Sequence, residues 1–335
     1  MFSRKNLPVT ALLVVLAVGL FLPLADRNNT LAFWLEVLIG GLMAGVLYGL
    51  VALGFVLIYK ASGVFNFAQG AMVLFAALAL ARLGERMPLW AAFVLAALIM
   101  LAFAWLVERL VLRRLVNQEG VTLLMATLGI AFFLDGFGQT VWGSDIYKID
   151  LGIPKEPLLA FQGAFEGGIL VNRDDIVAAV IAAALVLALA FFFQKTATGR
   201  ALRAVADDHQ AAQSIGIPLS RIWVIVWAVA GFVALVAGMV WGSKLGVQFS
   251  LQEIALRALP VVILGGFTSV PGAIVGGLII GVGEKMSEVF LGPILVKVFD
   301  LAGGGIENWF AYVLALLFLL VRPEGLFGEK HIDRV

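Results

Sequence analysis

The sequence predicts an all-α integral membrane protein, a polytopic bundle of about 8–10 transmembrane segments in which some segments are short or broken. Of its 335 residues, 62% are hydrophobic and only 13% are charged. A soluble domain has roughly 45–50% apolar and about 25% charged residues. The mean hydropathy is +1.05. Because a water-soluble fold has too little interior for this surplus of apolar side chains, most of the surface must face lipid.

Ten apolar runs approach the ~20 residues that a helix needs to cross a bilayer. The eighth run is short and ends on Gly265-Gly266, which predicts a half-helix, and eight or nine spans are also compatible with the pattern. The runs are 7–24, 33–58, 66–82, 88–112, 121–142, 174–194, 221–242, 254–267, 271–289 and 306–321.

The first run has a second interpretation. Arg4 and Lys5 followed by apolar residues are typical of a cleaved signal peptide. Cleavage at Ala25 would place Pro23 where a small residue is expected, so a retained first span is favoured.

The clustering of lysine and arginine predicts the orientation. Positive residues favour cytoplasmic loops, and the densest clusters are 109–114 and 195–221. With both clusters inside, the N- and C-termini are cytoplasmic. Residues 1–335 then form a single transmembrane domain with an external loop at 143–173 and a cytoplasmic insert at 195–220.

The sequence excludes several kinds of chemistry. Cysteine is absent, so there are no disulfides, thiolate metal sites or cysteine nucleophiles. No lysine directly follows a glycine, so the phosphate-binding P-loop is missing and this chain cannot hydrolyse ATP by that route. We expect no catalytic residue, no cofactor and no metal. The net charge of +1 gives no field that would attract nucleic acid.

Glycines recur at helical spacing in two predicted spans. The second span carries one at every fourth position, and the ninth carries two such pairs. Small residues on one helix face let backbones approach closely in lipid, so the pattern predicts helix packing and names no substrate. The residues are Gly41, Gly45 and Gly49, then Gly272 with Gly276 and Gly277 with Gly281.

Two polar interruptions lie at predicted membrane depth. Asn66, Gln69 and Gly70 stand near the start of the third span, and Thr268 and Ser269 separate the eighth from the ninth. Buried amides and non-helical backbone are tolerated only inside protein or beside water, so both predict a pathway or gate. Ordinary turns explain them equally well, with Thr268 or Ser269 capping the next helix.

Ionisable residues inside spans need partners or water. Most candidates lie near predicted span ends, and Asp135 is the best candidate for a structural or pathway role. The set is Glu36, Asp135, Glu253, Arg257, Glu284 and Lys285.

The insert predicts one helix over 200–215, starting after Gly199. Four of its residues can form an apolar face, and the charged ones supply a polar face. Such a helix suits docking onto a soluble partner, and a solvated linker helix is the alternative. The apolar residues are Leu202, Val205, Ala206 and Ile215, and the polar ones include Arg200, Arg203, Asp207 and Asp208.

Four ordered stretches carry a family resemblance over 31–330. They are 45–70 with its Asn66-Phe67-Ala68-Gln69-Gly70 motif, the insert at 199–217, the glycine-rich run at 264–277, and Arg322-Pro323-Glu324-Gly325-Leu326-Phe327-Gly328. Together they resemble the branched-chain amino acid ABC transporter permease family, in the form of its H-type subunit. The family usually has histidine where Gln69 stands and glutamate where Gln210 stands.

The resemblance implies a permease subunit of an ATP-driven importer in the bacterial inner membrane. Its partners would be a second related permease, two cytoplasmic ATPases and an external substrate-binding protein. Branched-chain amino acids are the expected cargo, with urea, short amides or small carboxylates as alternatives. A stand-alone channel or secondary transporter is a further alternative, and the absence of any catalytic cluster argues against a membrane enzyme.

The resemblance also assigns the insert to coupling with the ATPases. The residues it implies there are Gly199, Arg200, Arg203, Ala211, Ala212 and Gly216.

Overall fold

The computed structural model describes residues 30–115, 118–154, 156–165, 167–207, 209–300 and 305–328. Five helices in this part are long and apolar enough to cross a membrane, and one bent pair makes a sixth candidate. The apolar helices Gln69–Gly84 and Trp309–Val321 are shorter. This architecture confirms the predicted polytopic all-α membrane protein. The predicted span 7–24 lies outside the described residues.

The helices follow the predicted spans closely. A 3-10 turn at Leu112–Arg114 follows α3, another at Phe249–Gln252 precedes α9, and a π-helical turn at Ser287–Leu291 follows α11. In chain order the helices are α1 (Leu31–Ser62), α2 (Gln69–Gly84), α3 (Leu89–Leu110), α4 (Gly120–Trp142), α5 (Arg173–Lys195), α6 (Ala197–Asp207), α7 (His209–Ser214), α8 (Leu219–Leu245), α9 (Glu253–Arg257), α10 (Leu259–Gly265), α11 (Val270–Met286), α12 (Gly292–Phe299) and α13 (Ile306–Val321).

The segment predicted as an external loop contains a short antiparallel hairpin. Its strands are β1 (Leu158–Ala160) and β2 (Ile169–Val171), and Leu159 pairs with Leu170. The external position of this segment stays a prediction.

The chain divides into two compact units, each with its own packed interior. The first unit consists of the described residues within Met1–Gly49, Ile153–Ile181 and Leu259–Val335. In it α10, α11 and α13 contact one another. The chain bends by 115° at the break between α10 and α11, so this predicted half-helix and the span after it form a broken pair.

The predicted glycine faces meet inside this first unit. A Cβ on Gly45 of α1 would lie 2.6 Å from the carbonyl oxygen of Gly277 in α11. A Cβ on Gly277 would lie 2.5 Å from the carbonyl oxygen of Gly45. Gly41 opposes Gly281 in the same way, and Gly49 lies against Ala273. Any side chain here would strike backbone, so only glycine permits this approach.

The second glycine pair of α11 faces a different helix. A Cβ on Gly276 would lie 2.7 Å from the carbonyl oxygen of Val261 in α10. Gly272 opposes Gly265 so closely that each lacks room for a Cβ. Helix α11 is therefore packed through glycine on two faces, one toward α1 and one toward α10.

The second unit, Leu50–Gly152 with Ala182–Ala258, is built around α2. This helix contacts α3, α4 and α8, and every residue from Gln69 to Ala81 is buried. Its residues 71–81 are all apolar. A helix that is apolar all round has no face to offer to water, and here neighbouring helices cover it.

We predict that Gly45→Ala destabilises the protein by about 1–3 kcal/mol, because its methyl group would collide with the backbone of α11. Gly40→Ala is the matched control, since nothing lies within 4 Å of a Cβ there. It should leave stability unchanged or slightly raised, through better helix propensity. Thermal unfolding midpoints in detergent measure both, and equal midpoints for the two variants would contradict the close approach.

Candidate functional site

Asn66, Gln69 and Thr127 form a buried polar cluster at the start of α2. The exposed fractions of Asn66 and Gln69 are both 0%. The Asn66 Nδ2 donates to Gln69 Oε1 at 3.3 Å, and Asn66 Oδ1 accepts from the backbone N–H of Ala68 at 3.1 Å. The two amides that the sequence singled out therefore bind each other and the turn that begins α2.

Thr127 of α4 binds the non-helical backbone before α2. Its hydroxyl accepts a hydrogen bond from the N–H of Phe67 at 3.2 Å. The hydroxyl is also within donating distance of the carbonyl oxygens of Leu124, at 2.9 Å, and Phe65, at 3.3 Å. This buried side chain supplies a partner that water would supply in a soluble loop, as backbone at membrane depth requires.

Glycines make room for the cluster. Gly54 of α1 packs directly against the Gln69 amide, and the Gln69 Nε2 has no hydrogen-bond partner among the described residues. Gly70 packs against the carbonyl oxygen of Gln252. A direct contact of Gln69 with a transported molecule would therefore require a conformational change that uncovers it. The predicted pathway role of Asn66, Gln69 and Gly70 stays a prediction.

The glycine-rich turn between α10 and α11 is held by a helix cap and by the C-terminal motif. Ser269 Oγ accepts from the N–H of Gly272 at 3.0 Å, so Ser269 and not Thr268 caps α11. The N–H of Leu326 donates to the carbonyl of Leu264 at 2.8 Å, and that of Phe327 to Gly265 at 3.1 Å. The last two family motifs are thus one structural element, and a gating role for this turn remains a prediction.

A buried carboxylate lies between the glycine-packed helices of the first unit. Glu284 of α11 is 7% exposed and accepts a hydrogen bond from the Tyr48 hydroxyl of α1 at 2.8 Å. The candidate favoured from sequence, Asp135, is only half-buried and accepts from Gln139 on its own helix. Glu284 is the more deeply buried of the two carboxylates, and a carboxylate at membrane depth must have a polar partner.

Across the described ranges, no three or more His, Asp or Glu side chains are grouped to hold a metal ion.

The insert is bound to the helix before it. Helix α6 begins at Ala197, three residues earlier than predicted, and Gly199 packs against the carbonyl of Phe193. Arg203 donates to the carbonyl oxygens of Phe193 and Gln194, in the last turn of α5. A cation bound to free carbonyls at a helix C-terminus is a favourable arrangement. Arg200 is exposed.

The apolar face predicted for the insert is wrong at one residue. Leu202 and Val205 are buried as expected, but Ile215 is 74% exposed. Over the predicted 200–215 segment, the described residues of Ala197–Asp207 and His209–Ser214 are helical, as expected. Ile215 comes directly after the last helical residue, where no buried face continues.

The end of α7 is fixed by a glycine. Ala212 is buried and Ala211 is exposed. Gly216 has φ +87° and its N–H donates to the carbonyl of Gln213 at 3.0 Å. Nothing lies within 4 Å of a Cβ at Gly216, so its left-handed backbone, and not lack of space, requires glycine.

Sequence reasoning gave no role to Thr127 or to Tyr48, because the local pattern around each residue does not show its partner. Their partners, the 63–68 turn and Glu284, lie 60 and 236 positions away. Only contact between distant segments reveals these pairs.

We predict that Thr127→Val destabilises the protein by about 1 kcal/mol, because the N–H of Phe67 loses the acceptor that the buried Thr127 hydroxyl supplies. Thr140→Val is the matched control on the same helix, since Thr140 is exposed and donates only to its own helix at Gly136. Unfolding in detergent, followed by tryptophan fluorescence, should separate the two variants. Equal stability would mean that the Phe67 amide has another partner.

A family model described as "Branched-chain amino acid transport system / permease component" matches residues 37–322. The high-affinity branched-chain amino acid transport system permease protein LivH of Salmonella typhimurium is 28% identical over 321 residues, covering 90% of this chain and 98% of that one. The corresponding protein BraD of Pseudomonas aeruginosa is 28% identical over 314 residues, with the same coverage. The fructose import permease protein FruF of Bifidobacterium longum is 26% identical over 274 residues, covering 79% of this chain and 74% of that one.

Proposed function

Because the chain belongs to the family of permease components of branched-chain amino acid transport systems, we propose that it forms the membrane pathway of an ATP-driven importer for branched-chain amino acids. One observation carries this proposal. The match to LivH and BraD covers 90% of this chain and 98% of each relative, so the similarity extends over nearly the full length of those permeases. FruF, whose name specifies a sugar, is matched over a smaller share of both chains.

The proposed assembly has four kinds of component. This chain pairs with a second related permease in the bacterial inner membrane, with both termini in the cytoplasm. Two ATPase subunits bind the cytoplasmic face, and a binding protein delivers the amino acid from outside. ATP hydrolysis belongs to the ATPases, because this chain has no P-loop lysine.

We predict ATP-dependent leucine uptake by proteoliposomes that contain this permease with its co-purified permease, ATPase and binding-protein partners. Omitting the ATPases should abolish uptake, because this chain has no energy source of its own. Urea, a short amide and a small carboxylate serve as competing cargoes in the same assay. Uptake of one of these without leucine would overturn the substrate, and uptake without ATPases would overturn the importer.

The insert is the proposed coupling element between ATPase and pathway. Its helices α6 and α7 contact α8, and Arg203 joins α6 to the end of α5. A push on the insert by a closing ATPase would therefore act on two membrane helices at once. We assign coupling to the insert residues Gly199, Arg200, Arg203, Ala211, Ala212 and Gly216.

The insert residues differ in burial and in what they contact. Gly199 and Ala212 are buried, Arg203 binds the end of α5, and the exposed Gly216 sets the turn after α7. Arg200, Ala211 and Ile215 are exposed. An isoleucine that is 74% exposed beside a fixed turn offers an apolar contact to a docking protein. We therefore add Ile215 to the proposed ATPase contact.

We predict that Ile215→Ser lowers transport-coupled ATP hydrolysis about ten-fold, because loss of an anchoring apolar contact costs roughly 1–2 kcal/mol at an interface. Gln213→Ser is the control, since it changes an exposed residue two positions before Ile215. Both variants should unfold like the parent. ATPase rates and leucine uptake are measured together, and full coupling in Ile215→Ser would remove this residue from the contact.

A further inference from the structure

The second unit contains an apolar groove between α3 and α4. Its volume is about 350 Å³, and the side chains that line it include Phe103, Leu106 and Leu110 of α3 with Ile130 and Phe133 of α4. No charged or polar residue is among those lining it. Gly129 forms part of the α4 wall, and nothing lies within 4 Å of a Cβ there, so the missing side chain leaves the groove open.

Basic side chains lie at one end of this groove. Val111 lines it and is followed at once by the turn Leu112–Arg114. Arg109 and Arg114 are exposed, and the Arg109 guanidinium lies 5.0 Å from the ring centroid of Trp105. Trp105 is itself exposed, as tryptophan often is at a membrane interface.

The other charged residues near this end of the groove are Glu108, Arg113 and Glu119. Arg113 pairs with the buried Glu108 at 3.3 Å, so its charge is largely neutralised within the protein. Glu119 is the one carboxylate in residues 109–119. Arg109 and Arg114 therefore supply two exposed positive charges, against one exposed negative charge on Glu119. The end of the groove has a net positive charge.

We propose that this groove binds one acyl chain of an anionic phospholipid, whose phosphate is held by Arg109 and Arg114. An apolar channel ending in positive charge matches a ligand with an oily tail and a negative head. Anionic headgroups are attracted to basic residues at the membrane surface. A tail in the groove also covers apolar side chains that the helices leave open.

Native mass spectrometry of the full-length permease, with whichever partners co-purify, tests the headgroup. The probes are phosphatidylglycerol, phosphatidylcholine with the same chains, and inorganic phosphate. We expect retention of phosphatidylglycerol alone. Arg109→Gln and Arg114→Gln should each weaken it about five-fold, and Glu119→Gln should strengthen it. Equal retention of both lipids, or binding of phosphate alone, would overturn the proposal.

A groove-filling pair tests the tail. Gly129→Leu should reduce phosphatidylglycerol retention about ten-fold, because the new side chain displaces several buried methylenes of the ligand. Gly136→Leu is the control, seven residues further along α4. A Cβ at Gly136 also has nothing within 4 Å, and Gly136 does not line the groove. Equal losses in the two variants would contradict a specific groove. Size-exclusion elution checks folding, and the arginine variants decide the outcome if Gly129→Leu does not fold.

Discussion

The approach of helix backbones through glycine is the interaction on which the first unit depends. Lipid tails are as apolar as leucine, so no hydrophobic force presses one membrane helix against another. Close van der Waals contact must replace that force, and it is possible only where side chains do not keep backbones apart. Helix α11 meets this requirement on two faces, with Gly277 and Gly281 toward α1 and Gly272 and Gly276 toward α10. The Tyr48–Glu284 hydrogen bond then lies between helices already in contact.

Satisfaction of the polar backbone is the second constraint, and it explains what the family motifs do locally. Wherever a helix breaks at membrane depth, its free N–H and C=O groups need partners from the protein. Asn66 and Thr127 supply them before α2. The backbone of Leu326 and Phe327 supplies them at the end of α10, where it joins the C-terminal motif to the glycine-rich turn. Motifs that are far apart in sequence thus stabilise the breaks in the helices.

The coupling proposed for the insert requires that a push on it reaches the membrane helices. An insert held only by its covalent ends would absorb a push by bending. Here Arg203 binds the last carbonyls of α5 and the insert helices contact α8, so displacement of the insert has rigid elements to act on. Ile215 stays outside these contacts, which leaves it available to a partner. The proposed lipid groove lies elsewhere in the same unit, where α3 and α4 are incompletely packed.

The sequence alone determined the fold class and the positions of the helices. Apolar runs of membrane length leave the backbone no alternative to helix, so the long described helices fall on their predicted runs. The short helix α12 lies between two of those runs and was not predicted. Spacing at every fourth residue likewise determined which glycines share a face. What that face contacts was decided by tertiary structure, because periodicity within one helix carries no information about its neighbour. The burial of Asn66 and Gln69 and the Tyr48 partner of Glu284 depend on segments that are distant in sequence. The exposure of Ile215 likewise follows from packing, because no other segment in the described part of the chain covers it.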